Sequence, residues 1–412
     1  MNSSWTHSPA IKAFEAGRGV WGSEWRPGHF AAAPGRIELI GNHIDYSGGP
    51  VLAAAIDRGC VTLRDADSPE KTLEFVLADF GPSVVQCGDG ADFDQRGLTH
   101  SQEPADFVKG TVAALRSRAL PVNTGRFSIS STVPMGAGVS SSAALCVSLA
   151  LALSASSLDA ADVVLIAQEA EHRAGSPCGT MDQSASVAGG TILFDGSSAS
   201  FEQFAVNQNG YSFAVIDSGV PRVLAQSSYP LRVEECHRAR NLLSVVLDRQ
   251  IDHLASLSPE DLERAAQKGF SEEEPILFQR CRHVVSETQR VHKAVLALER
   301  GDWPTFGELM STSGRSSATD YAISHPIVEE IVSRVRQVPD VLGARMMGGG
   351  EGGAVIALVK PPRQKDEMVE AIAAAAQDPE RLIERPVYLF ADSQGAYRGN
   401  VEFENDTLSL SQ

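Results

Sequence analysis

Short apolar runs separated by glycine-rich turns fill residues 30–66, and this alternation predicts β-strands joined by tight turns. Farther along, apolar side chains recur at helical spacing from Pro104 to about Arg118. The apolar stripe of this predicted helix consists of Phe107, Val108, Val112 and Leu115. The first third of the chain is therefore expected to mix strands with at least one amphipathic helix.

The rest of the chain shows the same mixture. The segment FSISSTVPMGAGVSSSAALCVSLALALSA, residues 127–155, predicts a strand, a glycine-rich loop and a long apolar helix. Residues 160–175 predict another helix, and the pattern from Tyr229 to about His292 is helical with charged faces. Core strands are predicted at TILFDG (191–196), at YSFAVIDSGV (211–220), and on both sides of the glycine turn in GARMMGGGEGGAVIALV (343–359).

A chain of 412 residues is too long for one ordinary core, and it predicts two domains of α+β structure. Its hydrophobic content of 43% and charged content of 21% are typical of globular proteins. We place the N-terminal domain, which contains the glycine-rich loop, at residues 1–205. The C-terminal domain is placed at residues 206–412, with YSFAVIDSGV near its start.

Charge and cysteine usage limit the possible partners. A net charge of −17 opposes binding to a nucleic-acid backbone, whereas a nucleotide needs only a local positive pocket. The six cysteines show no C-x-x-C spacing, which favours buried thiols in a reducing compartment. The N-terminus lacks the pattern of a secretory signal, and no apolar run reaches the roughly 18 residues of a membrane span. We expect a cytoplasmic monomer that binds neither nucleic acid nor membrane.

The loop PMGAGVSSSAAL, residues 134–145, is a candidate phosphate site. Gly136 and Gly138 allow a tight turn and a close approach of the backbone to a ligand. The three serines that follow open a helix whose first N–H groups have no internal partner, and the helix dipole adds positive potential there. The alternative is an ordinary turn with serine N-caps. No G-K-[ST] follows, so this is not a Walker A loop.

A second glycine loop occupies residues 348–353, where five of six positions are glycine. This density exceeds the need of a β-turn and indicates close packing against a ligand or another loop. A flexible hairpin is the alternative.

Three segments together resemble the three signatures of the GHMP kinases, and specifically those of galactokinases. They are APGRIELIGNHIDYSGGPVLAAAID (33–57), the serine loop, and GARMMGGGEGGAVIALV (343–359). AEHRAGSPCGTMDQSAS (170–186) and DFVKG (106–110) agree as well, and the motifs follow the order of the family over most of the chain.

The resemblance implies a two-domain GHMP kinase fold. Its N-terminal domain is like domain 2 of ribosomal protein S5, its C-terminal domain is ferredoxin-like, and the active site lies in the cleft between them. It implies ATP-dependent transfer of the γ-phosphate to the anomeric hydroxyl of galactose or a galactose-like sugar, with Mg²⁺. The implied ATP-binding residues are Phe107, Pro134, Gly136, Ala137, Gly138, Val139, Ser140, Ser141, Ser142 and Ala143.

Two residues match the catalytic positions of the family. Asp182, in GTMDQ, would accept the proton of the attacking hydroxyl, which is otherwise a poor nucleophile. Arg36, in PGRIELIG, would orient that carboxylate and offset charge on the transferring phosphate. Taken alone, Asp182 also has the plain interpretation of a helix N-cap.

The metal and sugar positions also follow from the resemblance. Glu171, in AEH, and Ser142 match the Mg²⁺ ligands, with Glu169 as a weaker rival because the spacing to MDQ is one residue short. The residues that match sugar-binding positions are Asn42, His43, Asp45, Gly179 and Tyr229.

Several positions depart from the galactokinase pattern. Asn42 stands where Glu is usual, and that Glu resembles a partner of the sugar's C6 hydroxyl. Asn removes a negative charge, so a uronic acid becomes a candidate substrate; alternatively, Asn still binds the hydroxyl of galactose. The other departures are Glu38 for Asn, Gly314 for His, Glu351 for an aromatic residue, and Pro221-Arg222 for Arg-His.

Two other functions compete with a sugar kinase. A non-catalytic, galactokinase-like sugar sensor would be altered in the serine loop, whereas SSSAA is intact here and favours catalysis. A mevalonate or homoserine kinase is disfavoured by the NHIDY and GTMDQ segments.

Overall fold

The structure is a computed structural model that describes residues 5–65, 72–81, 84–87, 103–220, 228–361, 365–377, 386–404 and 407–412. The described residues form two β-sheets, one of nine strands and one of four, with helices packed against both. The predicted α+β class is confirmed.

Strands and helices follow one another in runs along the chain. In chain order they are β1 (His29–Ile40), β2 (Pro50–Asp65), β3 (Leu73–Leu77), β4 (Val84–Gln86), β5 (Gly125–Ser131), β6 (Thr191–Asp195), β7 (Ser200–Phe204), β8 (Ser212–Asp217), β9 (Val341–Met347), β10 (Ala354–Val359), β11 (Val387–Phe390), β12 (Tyr397–Glu404) and β13 (Thr407–Ser411).

The helices that surround these strands are α1 (His7–Trp21), α2 (Pro104–Ser117), α3 (Ser141–Leu153), α4 (Ala160–Arg173), α5 (Met181–Ala188), α6 (Tyr229–Val246), α7 (Pro259–Gln267), α8 (Phe270–Glu273), α9 (Pro275–Glu299), α10 (Trp303–Thr319), α11 (Pro326–Val335) and α12 (Lys365–Ala376). The helix expected between Pro104 and Arg118 is thus found as α2. Within the described ranges, no helix is long and apolar enough to cross a lipid bilayer.

The larger sheet has the order β13-β12-β1-β2-β5-β3-β4, and β6 and β7 extend it from β2. Its central strands β1 and β2 are almost entirely buried, because helices cover both faces. Helix α3 packs on β1 and β2 with α2 and α4 beside it. On the opposite face, Phe30 and Ala32 join an aromatic cluster under α1 that includes Phe14 and Trp25.

The smaller sheet has the order β11-β8-β10-β9, and all of its neighbouring strands are antiparallel. Strand β10 is buried along its whole length. Helices α10 and α11 pack on β9, and α12 packs against β8 and β11. The long helix α9 contacts α6 and α10 and also reaches β1 and β2, so it joins the two halves of the molecule.

The chain passes between the two sheets twice. It leaves the larger sheet after β7 and returns with β12, which pairs with β1 from His29↔Asn400 to Ala32↔Tyr397. The hairpin of β12 and β13 therefore belongs to the larger sheet, although the sequence-based division placed all of residues 206–412 in the second domain. Apolar alternation predicts a strand but not its partner in a distant part of the chain. The boundary near residue 205 itself stays a prediction.

Candidate active site

Arg36, on β1, connects three segments that are far apart in the sequence. Its Nε donates to Asp182 Oδ1 at 2.8 Å and its Nη2 to Asp182 Oδ2 at 2.5 Å. Its Nη1 donates to the carbonyl oxygen of Gly138 in the serine loop at 2.8 Å. Such a two-pronged arginine–carboxylate pair fixes the direction of both groups. The structure thus brings together the two residues expected to be catalytic.

Asp182 lies in the first turn of α5, after the N-cap residue Thr180. Its side chain is not the cap, so the plain interpretation from the sequence does not apply. Ser140 Oγ also donates to Asp182 Oδ2, at 2.5 Å. The Asp182 side chain keeps 26% exposure while Arg36 keeps 8%, so the carboxylate faces open space and the arginine supports it from behind.

The serine loop turns sharply before α3. Gly136 and Gly138 have φ values of 78° and 69°, which glycine adopts at little cost. Ser140 is the N-cap with φ 59°, and the helix begins at Ser141, as expected. The unpaired N–H groups of this helix start are therefore at the loop, where a phosphate would be stabilised.

The loop borders a cavity of about 690 Å³. Phe107 and Leu145 supply apolar wall, while Arg36, Glu171 and Asp182 supply charge. Of the expected ATP-binding residues, those that line it are Phe107, Gly136, Gly138, Val139, Ser140, Ser141 and Ser142. Ala137 and Ala143 are buried, and these two and Pro134 do not line the cavity. Met135 and Phe80 also line it and were not predicted, because exposed apolar side chains carry no periodic signal.

Glu171 is buried on α4 and faces the serine loop. Ser142 Oγ donates to its Oε2 at 2.8 Å, and Gln183 Nε2 donates to its Oε1 at 2.6 Å. Burial raises the pKa of Glu171 to about 7, and the nearby Asp182 carboxylate adds to the rise. A buried carboxylate held by neutral donors is well placed to receive a cation.

The carboxylate of Glu169, the alternative metal ligand, lies outside the cavity. Its carboxylate pairs with Arg118 and Arg173 and accepts a hydrogen bond from Ser117. It does not line the cavity. The geometry therefore favours Glu171 over Glu169 as a metal ligand.

The donor set at Glu171 and Ser142 fits Mg²⁺, which prefers hard oxygen ligands and retains several waters. Across the part of the chain that the structure describes, no three His, Cys, Asp or Glu side chains gather as a ready metal cage. The protein would thus supply one carboxylate and one hydroxyl, and phosphate and water oxygens would complete the ligand sphere.

A second cavity, of about 100 Å³, adjoins the first. The two share Arg36, Gly138, Cys178 and Asp182 as lining residues, so the Arg36–Asp182 pair stands at their junction. The smaller cavity is lined by four of the five expected sugar residues: His43, Asp45, Gly179 and Tyr229.

Asp45 begins a short 3-10 turn after β1 and is half-buried. Burial raises its pKa to about 6, and the carboxylates of Glu38 and Asp182 add to the rise. A Cβ at Gly179 would stand 3.0 Å from Asp45 Oδ2, so a larger residue there would press on the carboxylate. His43 packs edge-on against Tyr229 at 5.2 Å between ring centroids, and its Nδ1 lies 3.0 Å from Tyr46 Oη.

Asn42 differs from the expectation. Its side chain is fully buried, donates to Glu38 Oε1 at 3.0 Å and to the Gly348 carbonyl at 2.9 Å, and accepts from Ser317 at 3.2 Å. It does not line the sugar-side cavity, because its amide group is held by Glu38, Gly348 and Ser317. Glu38 lines the cavity instead. The sequence marked Glu38 as a departure but did not assign it to the site.

Two further departures have structural reasons. A Cβ at Gly314 would stand 2.6 Å from Arg345 Cβ, so glycine makes room for the fully buried Arg345. Glu351 accepts a hydrogen bond from the backbone N–H of Ser228 at 3.0 Å, next to the start of α6, and so stabilises a helix terminus. Pro221 and Arg222 lie outside the described residues.

Three parts of the chain match known family signatures. Residues 18–63 match the galactokinase galactose-binding signature, residues 106–190 match the GHMP kinases N terminal domain, and residues 294–378 match the GHMP kinases C terminal domain. The matches occur in chain order and together cover just over half of the 412 residues.

Among solved structures, the chain is similar to the galactokinase of Lactococcus lactis complexed with galactose. The identity is 25%, the TM-score is 0.83, and the alignment covers 94% of this chain and 99% of that one. Mevalonate kinase of L. major, complexed with R-mevalonate, is 20% identical with a TM-score of 0.59, over 88% of this chain and 96% of that one. Homoserine kinase of Cytophaga hutchinsonii is 16% identical with a TM-score of 0.55, over 91% and 98%.

Fold and site together define a phosphotransferase that acts on a hydroxyl group. The matches to a galactokinase signature and to both GHMP kinase domains support that class. The chain is a member of the GHMP kinase family, on its galactokinase branch.

Proposed function

We propose that this protein transfers the γ-phosphate of ATP to the anomeric hydroxyl of galactose, giving galactose 1-phosphate and ADP. The observation that carries the proposal is the position of the Arg36–Asp182 pair at the junction of two cavities. One cavity has a helix start suited to phosphates, and the other has carboxylate and aromatic side chains suited to a sugar. The match of residues 18–63 to a galactose-binding signature supports galactose as the acceptor.

The proton of the attacking hydroxyl goes to Asp182. Its carboxylate faces open space at the point where both substrates would meet. As the new O–P bond forms, the hydroxyl proton moves to Asp182 and the bond from the γ-phosphorus to the β,γ-bridging oxygen breaks. Arg36 keeps the carboxylate oriented through two hydrogen bonds, and its positive charge offsets part of the negative charge at the junction.

The phosphates of ATP lie against the serine loop in this proposal. The N–H groups at the start of α3 donate to them, and Phe107 lies in the apolar part of the same cavity, which suits the adenine. Glu171 and Ser142 would hold Mg²⁺, which neutralises phosphate charge when bound.

The sugar occupies the smaller cavity. Asp45 accepts hydrogen bonds from ring hydroxyls, and Tyr229 and His43 supply aromatic surface. Gly179 leaves the space that the Asp45 carboxylate needs.

The setting of the enzyme is also part of the proposal. All six cysteines are free, as in proteins of a reducing compartment, which supports the cytoplasm. A monomer is proposed as the working state, and gel filtration with light scattering would test it.

The experiment is ATP consumption by purified protein with Mg²⁺ and a panel of sugars: galactose, galacturonic acid, N-acetylgalactosamine, glucose and arabinose. We expect turnover of galactose that Asp182→Ala reduces roughly 100- to 10,000-fold. Glu169→Gln serves as a matched control, because this carboxylate lies outside both cavities. ATP binding without turnover of any sugar would instead indicate a sensor.

A further inference from the structure

Glu38 lines the sugar-side cavity, where the sequence did not predict it, and its side chain keeps 7% exposure. Oε1 accepts hydrogen bonds from Asn42 Nδ2 at 3.0 Å and from Arg345 Nη2 at 2.8 Å. No described residue donates a hydrogen bond to Oε2. One oxygen is thus anchored by the protein, and the other remains able to accept a hydrogen bond from a ligand.

The anchor is rigid. Arg345 is fully buried, and its other donors are bound to the carbonyl oxygens of Glu38, Leu39 and Met346. Asn42 is held in turn by Gly348 and Ser317. A carboxylate fixed by two such partners loses little side-chain entropy when a ligand binds to it.

Strand geometry sets where Glu38 meets the sugar. Arg36 and Glu38 are two residues apart on β1, in a stretch of regular pairing with Ala55 and Ala53 of β2. Their side chains therefore point to the same face, roughly 6 to 7 Å apart along the strand. A hexose whose anomeric hydroxyl lies at the Arg36–Asp182 pair would present its opposite end, carbons 4 to 6, to Glu38.

The charges around this end disfavour an anionic sugar. Glu38 and Asp45 both line the cavity, and the Glu38 charge contributes to the raised pKa of Asp45. Among the described residues, Arg36 is committed to Asp182, and Arg345 does not line the cavity. A uronic acid would add a fourth carboxylate beside Glu38, Asp45 and Asp182, and the one arginine among the described lining residues, Arg36, is already paired with Asp182.

We propose that Glu38 is a specificity residue: its free oxygen accepts a hydrogen bond from the C4 or C6 hydroxyl of a neutral hexose and its charge rejects uronic acids. The proposal rests on the sugar kinase function given above. It also replaces the idea that Asn42 opens the site to galacturonic acid, because the negative charge absent at position 42 is present at position 38.

The test compares wild type and Glu38→Gln on galactose and on its 2-, 3-, 4- and 6-deoxy derivatives, with kcat/KM as the readout. We expect Glu38→Gln to lose roughly 10- to 100-fold on galactose. On the 4- or the 6-deoxy sugar it should lose little relative to wild type, because the hydrogen bond is already missing there. Ser317→Ala disturbs the same network from behind the cavity wall and should change all five sugars by one factor.

The outcomes are distinct. A loss in Glu38→Gln that is equal for every sugar, or that vanishes only for the 2- or 3-deoxy sugar, would overturn the proposal while leaving the galactose kinase intact. Should the variant fail to fold, kcat/KM of the wild-type protein on galactose and on galacturonic acid still tests the proposal. Equal values for the two sugars overturn it, and an at least tenfold higher value for galactose supports it. Failure of wild type on every hexose would overturn the kinase function and this inference together.

Discussion

Ser142 on α3 donates a hydrogen bond to Glu171 on α4 at 2.8 Å, across the side of the phosphate cavity. The two residues are 29 positions apart and belong to neighbouring helices. Their contact places a hydroxyl and a carboxylate oxygen on one wall, beside the loop that would hold the ATP phosphates.

Removing the negative charge of Glu171 should weaken the binding of Mg²⁺. For Glu171→Gln we expect the Mg²⁺ concentration at half-maximal rate to rise roughly tenfold or more, because an amide oxygen is a poorer ligand than a carboxylate. A titration of the rate with Mg²⁺ at saturating ATP measures this. Glu169→Gln, on the same helix but paired with Arg118 and Arg173, should leave the titration unchanged. Equal shifts in the two variants would contradict a ligand role for Glu171.

Sugar binding should weaken in mild acid. The pKa of Asp45 is raised to about 6, so its carboxylate takes up a proton as the pH falls through that value. The protonated form is a weaker acceptor for sugar hydroxyls, and KM for galactose should rise below about pH 6. Initial rates measured across the pH range at fixed saturating ATP test this. Asp45→Asn should have a high KM with a flat profile in the same window; a rise in KM of the variant that parallels wild type would show that another group titrates.

The same carboxylate should reduce the stability of the unliganded protein. The pKa of Asp45 rises from 3.8 to about 6 on folding, so the folded state disfavours the charged form above pH 6. This cost is absent below about pH 4 and grows between the two pKa values. Asp45→Asn should therefore raise the free energy of unfolding by about 1–2 kcal/mol at pH 7, a value reduced for partial exposure. Denaturant unfolding at pH 7 and near pH 4 measures this difference in the free energy of unfolding. If variant and wild type differ by the same amount at both pH values, titration of Asp45 is excluded as the cause.

A side chain at position 314 should destabilise the fold. In Gly314→Ala the new Cβ would stand 2.6 Å from Arg345 Cβ, and α10 would have to move away from β9. We expect a loss of about 1–3 kcal/mol in the free energy of unfolding, as in overpacked cores. Gly19→Ala is the matched control, because nothing lies within 4 Å of its Cβ and helix α1 should gain stability. An unchanged free energy of unfolding in Gly314→Ala would show that Arg345 can shift at little cost.

The local form of the serine loop could be predicted from the sequence, whereas the pairing of distant residues could not be predicted from local signals. The serine loop has its glycines and serines within a few residues, and the structure forms the turn and helix start that they indicate. Arg36 and Asp182 are 146 residues apart, and the resemblance to a family, rather than any spacing rule, brought them together.

What the sequence did not reveal depends on side-chain direction. Asn42 and Glu38 are four residues apart, with Gly41 at φ 108° between them, and of the two only Glu38 lines the cavity. Buried partners far away in the chain, Ser317 and Arg345, fix that outcome. Neither periodicity nor composition specifies such long-range contacts.

The return of β12 to the outer edge of β1 has a consequence for synthesis on the ribosome. Strand β1 is complete by Ile40, but its partner begins at Tyr397, more than 350 residues later. Because synthesis proceeds at roughly 5–20 residues per second, about 20 seconds or longer pass between the completion of β1 and the synthesis of its partner strand. An apolar strand with an open edge is a template for pairing with other chains. The edge of β1 from His29 to Ala32 is thus open to pairing with other chains until β12 has been synthesised.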